Sequence, residues 1–451
     1  MKVAIVGSGI AGLAAAHRLR DRAHITLFEA GDYFGGHTHT VDVTLPTANG
    51  LVTHGVDTGF LVFNERTYPQ LIALLGELDV ATSRSDMSFS VQAPGALGGR
   101  KLEWSGTSLS AVFAQRRNLV NPRFLRMLRD LLRFNALCTR IATANREAEL
   151  TQPLADFLDT HRFNNEFRDW YFLPMLGCIW SCPTDQMLQF PVATMIRFCH
   201  NHGLLQVSDR PQWWTVTGGA RHYVDKILNG ITDKRLNTPV RRVERQSAPD
   251  HDGVRIVTDQ GVEHFDKVVL ATHADQSLAL LANASAEEAA TLSAIRFQRN
   301  CAVLHTDASF LPTQRQAWAA WNYERAADSG AKSTRVCLHY LLNQLQPLPF
   351  KQPVIVSLNP LRDVAPGHLL GSYDYAHPVF DLAAIRAQRA LPRLQGRQHT
   401  YFAGAWMGYG FHEDGLKAGL AAADQLLADA NPRHPAALSP SQKPRPEMEP
   451  A

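Results

Sequence analysis

The chain has no long hydrophobic run, no paired cysteine motif, no excess of either charge and no internal repeat. Each absence removes a class of protein. A membrane-spanning helix needs roughly 18 consecutive apolar residues, and no stretch here approaches that, so no spanning segment is expected. Six cysteines (Cys138, Cys178, Cys182, Cys199, Cys301 and Cys337) form no CxxC pair. The apolar run after Met1 and Lys2 breaks at Gly7, too soon for a secretory leader, so free thiols in a reducing cytoplasm are expected. Basic residues number 45 and acidic residues 42. A nucleic-acid binder carries a clustered basic excess, so nucleic acid is not an expected partner.

What is present is an ordinary globular composition, 45 % apolar over 451 residues. That length exceeds what one hydrophobic core usually supports and predicts two domains. Lys2-Val-Ala-Ile-Val6 reads as a buried strand, an Ala/Leu-rich helix runs to about Arg20, and a second strand covers Ile25 to Glu29. Between first strand and helix stands Gly7-Ser8-Gly9-Ile10-Ala11-Gly12. Gly7 permits the tight turn, Gly9 lets backbone approach a pyrophosphate, and Gly12 lets the helix lie against the sheet. The unpaired amides of the helix start favour phosphate. Glu29 can accept a bond from a ribose hydroxyl, and its charge disfavours a 2′-phosphate. A lone GxGxxG is a weak signal; strand, helix and acid together make it a strong one.

Further pieces favour FAD over NAD. Gly35-Gly36-His37 offers a second close backbone approach, Val56-Asp57-Thr58-Gly59-Phe60 another glycine turn, and Tyr401–Ala405 a late buried strand followed by a glycine-rich turn. A helix is expected from about Asp414 to Leu427. Residues 108–150 and 154–205 read as mostly helical, and 235–272 as short strands. Beyond Asn431 the chain is rich in Pro, Ser and charge and is expected to be disordered.

With Thr217-Gly218-Gly219, the Val240 strand, the Val268–Thr272 run and Phe402-Ala403-Gly404, these motifs resemble the flavin amine-oxidase and carotenoid-desaturase superfamily. A closer resemblance is to the flavin-dependent domain fused to plant cyclopropane-fatty-acid synthases and its free-standing bacterial relatives. It is carried by Gly59-Phe-Leu-Val-Phe-Asn64, Ser85-Asp-Met-Ser-Phe89 and Tyr409-Gly-Phe-His-Glu-Asp-Gly415. The resemblance implies an α/β fold: a discontinuous glutathione-reductase-type FAD-binding Rossmann domain (1–70, 206–282 and 392–430) with an α+β substrate domain (71–205 and 283–391), then a 431–451 tail. It places Gly7, Gly9, Ile10, Ala11, Gly12, Glu29, Ala30, Gly35, Gly36 and His37 at a non-covalent FAD. Thr58, Gly59, Phe60, Val240, Ala271, Thr272, Gly404, Asp414, Gly415 and Leu416 join them. His412 falls on the reactive face as a candidate to move a proton.

Two positions depart from the amine-oxidase pattern. Asn300 stands where many members hold a water with lysine, and His412 stands where an aromatic cage has tyrosine; an imidazole can titrate near neutrality. The resemblance therefore implies hydride transfer on a lipid acyl chain or similarly apolar substrate. An oxygen-using amine oxidase and a non-catalytic flavoprotein partnering a lipid-modifying enzyme are the alternatives. A tunnel lined from Trp170–Trp180, Trp213-Trp214 and Trp318–Tyr323 is expected. Glu413 and Asp414 read as helix-dipole partners rather than acid–base groups. His37 and His39 lack flanking acids or thiols, so no metal is expected, and Cys178 and Cys182 read as buried packing. Arginines at 123, 126, 129 and 133 interleaved with leucines suit either a solvated face of a packed helix or peripheral contact with an anionic membrane.

Overall fold

The computed structural model describes residues 1–146, 150, 152–181, 183–206, 210–248, 251–326 and 336–431. Cys182 and residues 432–451 of the expected tail lie outside the described residues.

The Lys2–Val6 strand is the middle of a five-stranded parallel sheet, in the order 233–235, 24–28, 2–6, 267–270, 400–402. Its strands come from three distant parts of the sequence. Parallel sheets are covered on both faces, which makes their strands continuously apolar rather than alternating. Val3 and Ile5 pack on one side with helices, while Ala4, Val6 and Leu270 pack on the other with Val243, Val254 and Ile256. Those last three belong to an antiparallel sheet of the strands 240–248, 251–258 and 261–265.

Six helices matter for the site: α1 (Ile10–Leu19), α2 (Pro69–Glu77), α3 (Pro122–Thr143), α4 (Val192–Asn201), α5 (Arg221–Asn229) and α6 (His412–Ala430). Helices α1 and α6 lie unusually close. A Cβ on Gly419 would stand 2.1 Å from the Ala11 carbonyl oxygen, and one on Gly415 2.7 Å from Ile10. Helix α6 begins at His412, two residues ahead of the expected Asp414. The Asp414 carboxylate accepts from the Tyr409 and Phe411 amides at 3.0 and 3.1 Å and so closes the turn earlier.

A seven-stranded sheet, in the order 369–378, 297–305, 355–358, 337–341, 321–324, 89–97, 100–105, forms the second layer system. It is antiparallel except where 321–324 meets 89–97. The strand Trp213–Val216 pairs with both 63–64 and 82–85 and stitches the two parts together. Helix α3 buries Phe124, Met127, Phe134 and Cys138 while its arginines face outward. Among the described residues, no helix is long and apolar enough to cross a membrane.

Candidate active site

A cavity of about 640 Å³ opens at the carboxyl edge of the parallel sheet and extends into the second part of the molecule. One end is the glycine loop. Gly9 caps α1 with φ −62° and ψ 175°, and having no side chain it leaves the first-turn amides without a capping oxygen. Gly35 bridges to Gly9, and a Cβ on Gly36 would stand 3.1 Å from the Gly9 Cα, so the two glycine turns form one backbone surface. Glu29 accepts from the Ser8 amide (2.9 Å), the Ser8 hydroxyl (2.5 Å) and the Gly31 amide (2.8 Å), which fixes its carboxylate beside the loop.

The third glycine turn is anchored from below. Asp57, 1 % exposed, accepts from Thr40, from the Ala220 amide and from Gln346. Burial raises its carboxyl to about 6 in spite of those bonds. Gly59 follows, where a Cβ would meet the His37 carbonyl oxygen at 2.3 Å, and the Phe60 amide donates to that same oxygen at 2.7 Å.

The wall above the loop is built of imidazoles from four separate segments: His37, His273, His377 and His412. Burial is the main cause holding all four below the ordinary histidine value, reaching about 4 for His377 and about 3 for His412. His412 stacks on Phe60 at 3.8 Å between ring centres, and its Nε2 shares a 2.7 Å hydrogen bond with the Tyr223 hydroxyl of α5. The imidazole is therefore neutral near pH 7. The expectation that it titrates near neutrality is corrected, because desolvation disfavours the charged ring.

Main-chain bonds set the tautomer of His377. The Cys301 amide donates to Asn359 Oδ1, Asn359 Nδ2 donates to Asn300 Oδ1 (2.7 Å), and Asn300 Nδ2 then donates to His377 Nδ1 (2.7 Å). The neutral ring must carry its proton on Nε2. Asn300, where lysine was the family pattern, thus stands behind the wall and orients a histidine within it.

Of the residues placed at the cofactor from sequence, Gly7, Gly9, Ile10, Ala11, Glu29, Ala30, Gly35, Gly36, His37, Gly59, Phe60, Val240, Ala271, Thr272 and Gly404 line this cavity. Gly12, Thr58, Asp414, Gly415 and Leu416 stand behind the lining. Gly12 packs on Gly7, Thr58 is bonded to His39 and Tyr375, and Leu416 is core. The Gly415 amide is engaged with Phe411.

Glu413 is turned away as well. Its carboxylate accepts from the Gln70 and Leu71 amides at 3.0 and 2.9 Å, capping α2. Glu413→Ala leaves two buried-side amides open and is expected to cost about 1–2 kcal/mol of stability. A denaturant titration with an unchanged midpoint would show that the cap is idle.

The far end is apolar: Met87, Ile179, Phe198, Leu204, Trp213 and Trp321. The tryptophan expectation is half corrected. Trp170, Trp180, Trp214 and Trp318 do not line it; Trp214 donates instead to Glu65 and Trp318 to the Pro312 carbonyl. Phe198, His202 and Tyr340 are lining residues that no sequence pattern singled out. The thiol of Cys178 also lines the cavity, pushed up by burial.

A separate buried cluster, Glu324, Cys337 and His339, has metal-ligating residue types. Its hydrogen bonds are already closed. The Asp307 amide donates to His305 Nδ1, His305 Nε2 bonds Ser357, Ser357 bonds His339 Nδ1, and His339 Nε2 bonds Glu324. Arg362 also pairs with Glu324. This relay leaves no imidazole lone pair for an ion.

The residues at the sheet edge fit a dinucleotide on two observations. A Cβ on Gly9 would meet no protein atom within 4 Å, so the space above the loop is kept open, and His37 Nε2 is buried in the wall with no protein partner. A parallel-sheet glycine cradle opening into an apolar chamber defines a flavoprotein of the glutathione-reductase type. Residues 10–345 match the model of the flavin containing amine oxidoreductase family. The chain belongs to that family, and FAD is its cofactor.

Two curated sequences of Mycobacterium tuberculosis strains, named as a flavin-containing monoamine oxidase, AofH, are 27 % identical over 282 residues. That covers 60 % of this chain and 56 % of theirs, so the match spans little more than half the length of those relatives. Cyclohexylamine oxidase from Brevibacterium oxydans IH-35A is similar in structure at TM-score 0.66 and 18 % identity, covering 95 % of this chain and 99 % of that one. A CLA-producing fatty acid isomerase from P. acnes is similar at TM-score 0.63 and 16 % identity, over 95 % and 98 %. At such identities these two likenesses show the shared fold.

Proposed function

We propose that the protein is an FAD-dependent oxidoreductase that oxidises a lipid acyl chain or a similarly apolar substrate. FAD, when bound, supplies a two-electron acceptor. The observation that carries the reading is the make-up of the chamber. Its aliphatic and aromatic walls meet neutral imidazoles, and Glu29, tied to the glycine loop, is the only carboxylate among the lining residues. A long apolar chain loses water on entering such a space and gains about 0.8 kcal/mol for each methylene buried. Likeness to the cyclopropane-fatty-acid-synthase flavin domain, and to a structure named as a fatty acid isomerase, supports the same class.

In this reading the chain's residues position and exclude. The amides of α1 and the Gly35–Gly36 turn hold the phosphates, Glu29 takes a ribose hydroxyl, and Phe60 with His412 forms a stacked wall that keeps water out. His377, with its proton on Nε2, is the donor that the wall presents to the cavity. The experiment is anaerobic mixing of the holoenzyme with bacterial lipid extract. Bleaching of the visible flavin band, with a changed degree of unsaturation in the recovered lipid, is expected. An unchanged band with every lipid fraction would sink the reading.

The family and the AofH relatives favour a second reading, an amine oxidase using O2. Amine-dependent peroxide release by the purified protein, absent with lipid, would establish it in place of the first.

A further inference from the structure

One stretch of the molecule joins an excess of positive charge to several exposed aliphatic side chains. Residues 100–143 hold nine basic side chains against two acidic ones, while the remainder of the chain has 36 against 40. Both acids, Glu103 and Asp130, are 1 % exposed and already partnered, Glu103 by Lys101 and the Thr313 and Gln314 amides, Asp130 by Asn164. On α3, Arg123 and Arg126 pair with Glu166, and Arg129 and Arg133 lie within 3.8 Å of Asp130, so the excess positive charge at the surface is concentrated on the segment ahead of the helix.

The same segment exposes aliphatic side chains that folding has not covered: Leu109 at 81 %, Val120 at 83 %, Leu132 at 57 %, with Leu119 and Leu125. Between the strand at 100–105, the segment 114–117 and Thr313–Gln314 lies an open cleft of about 610 Å³, with Arg100, Lys101, Arg116 and Arg117 in its walls beside the already paired Glu103. Arg100, Arg116 and Arg117 have no carboxylate partner among the described residues; Arg117 donates to the Lys101 carbonyl. From Asn121 onward the exposed stripe of α3 continues the pattern, with Leu125, Arg126, Arg129, Leu132 and Arg133.

We infer that this face docks the protein on an anionic lipid bilayer, the arginine cleft taking phosphate headgroups and the exposed Leu and Val side chains entering between acyl chains. A nucleic acid would answer the charge but leave the aliphatic side chains in water. A bilayer answers both, because an anionic surface attracts basic residues and the acyl boundary accepts apolar ones. The inference does not rest on the proposed substrate, since none of these residues lines the flavin cavity.

The test is co-sedimentation of the full-length holoprotein with vesicles of phosphatidylcholine alone and of phosphatidylcholine with phosphatidylglycerol. Pelleting is expected with the anionic vesicles only, and it should weaken as salt rises. Arg100→Glu with Arg116→Glu and Arg117→Glu should lower the apparent affinity by about a hundredfold or more. Leu119→Ser with Val120→Ser should weaken binding while leaving its salt dependence in place. Both variants change exposed side chains, so flavin absorbance and thermal midpoint should match the parent, and either one alone suffices if the other does not fold. Absence of pelleting with anionic vesicles, equal pelleting of parent and both variants, or capture by single-stranded DNA without any by vesicles would each overturn the inference.

Discussion

Gly9→Val is expected to give a folded, colourless protein. The backbone at Gly9 is in an extended conformation that any L-residue adopts, and its Cβ would meet no atom of the protein within 4 Å. The fold therefore tolerates the side chain. The cofactor does not, because the isopropyl group would stand between the first-turn amides of α1 and the pyrophosphate. Losing two charge-assisted amide bonds lowers FAD affinity by about a thousandfold or more. The variant's thermal midpoint should equal that of FAD-stripped parent protein, since only ligand stabilisation is lost.

Gly12→Val is the contrast. Its Cβ would lie 1.9 Å from the Gly7 carbonyl oxygen, so that substitution breaks the strand–turn–helix itself. A yellow, fully loaded Gly9→Val protein would overturn the assignment of this loop to the phosphates.

The second large effect is acid destabilisation starting just below pH 6.5. Burial holds His202, His305 and His377 at about 4 and His412 at about 3, against 6.5 in the unfolded chain. As pH falls below 6.5 the unfolded chain takes up these protons and the native protein does not. Stability that is fully present above 6.5 is thus lost as pH drops toward 4, about 1.4 kcal/mol per pH unit for each histidine.

Asp57 and Asp414 act in the opposite sense. Burial raises each from 3.8 to about 6, so the native protein binds their protons first, and below 6 they offset two of the four histidines. For these six groups together a loss of about 3 kcal/mol per pH unit remains between about pH 6 and pH 4. Denaturant midpoints that stay constant from about pH 7 to pH 5 would contradict the burial of these four neutral histidines.

The parts of the site legible in sequence are those whose physics is local. The Gly7–Gly12 turn, Glu29 and the Gly35–Gly36 doublet are contiguous with the strands and helix that aim them, so apolar runs and glycines suffice to read them. The direction of a side chain fixed by distant partners is not readable that way. Glu413 and Asp414 both stand in the first turn of α6, where the sequence places them as dipole partners, but only the fold shows that one also caps α2 and the other closes its own turn. Aromatic composition points to Trp180 as lining, yet it packs against Phe190 and Phe198, while Phe198 itself faces the cavity.

By itself, then, the order of amino acids determined that a dinucleotide cradle would form at the first strand–helix junction, since backbone dihedrals and hydrophobic periodicity act over a few residues. Only the tertiary structure decided that His37, His273, His377 and His412 meet in one wall, and that His412 is uncharged there. Those outcomes depend on packing between segments hundreds of residues apart and on the water that packing removes, and neither quantity is carried by any short stretch of chain.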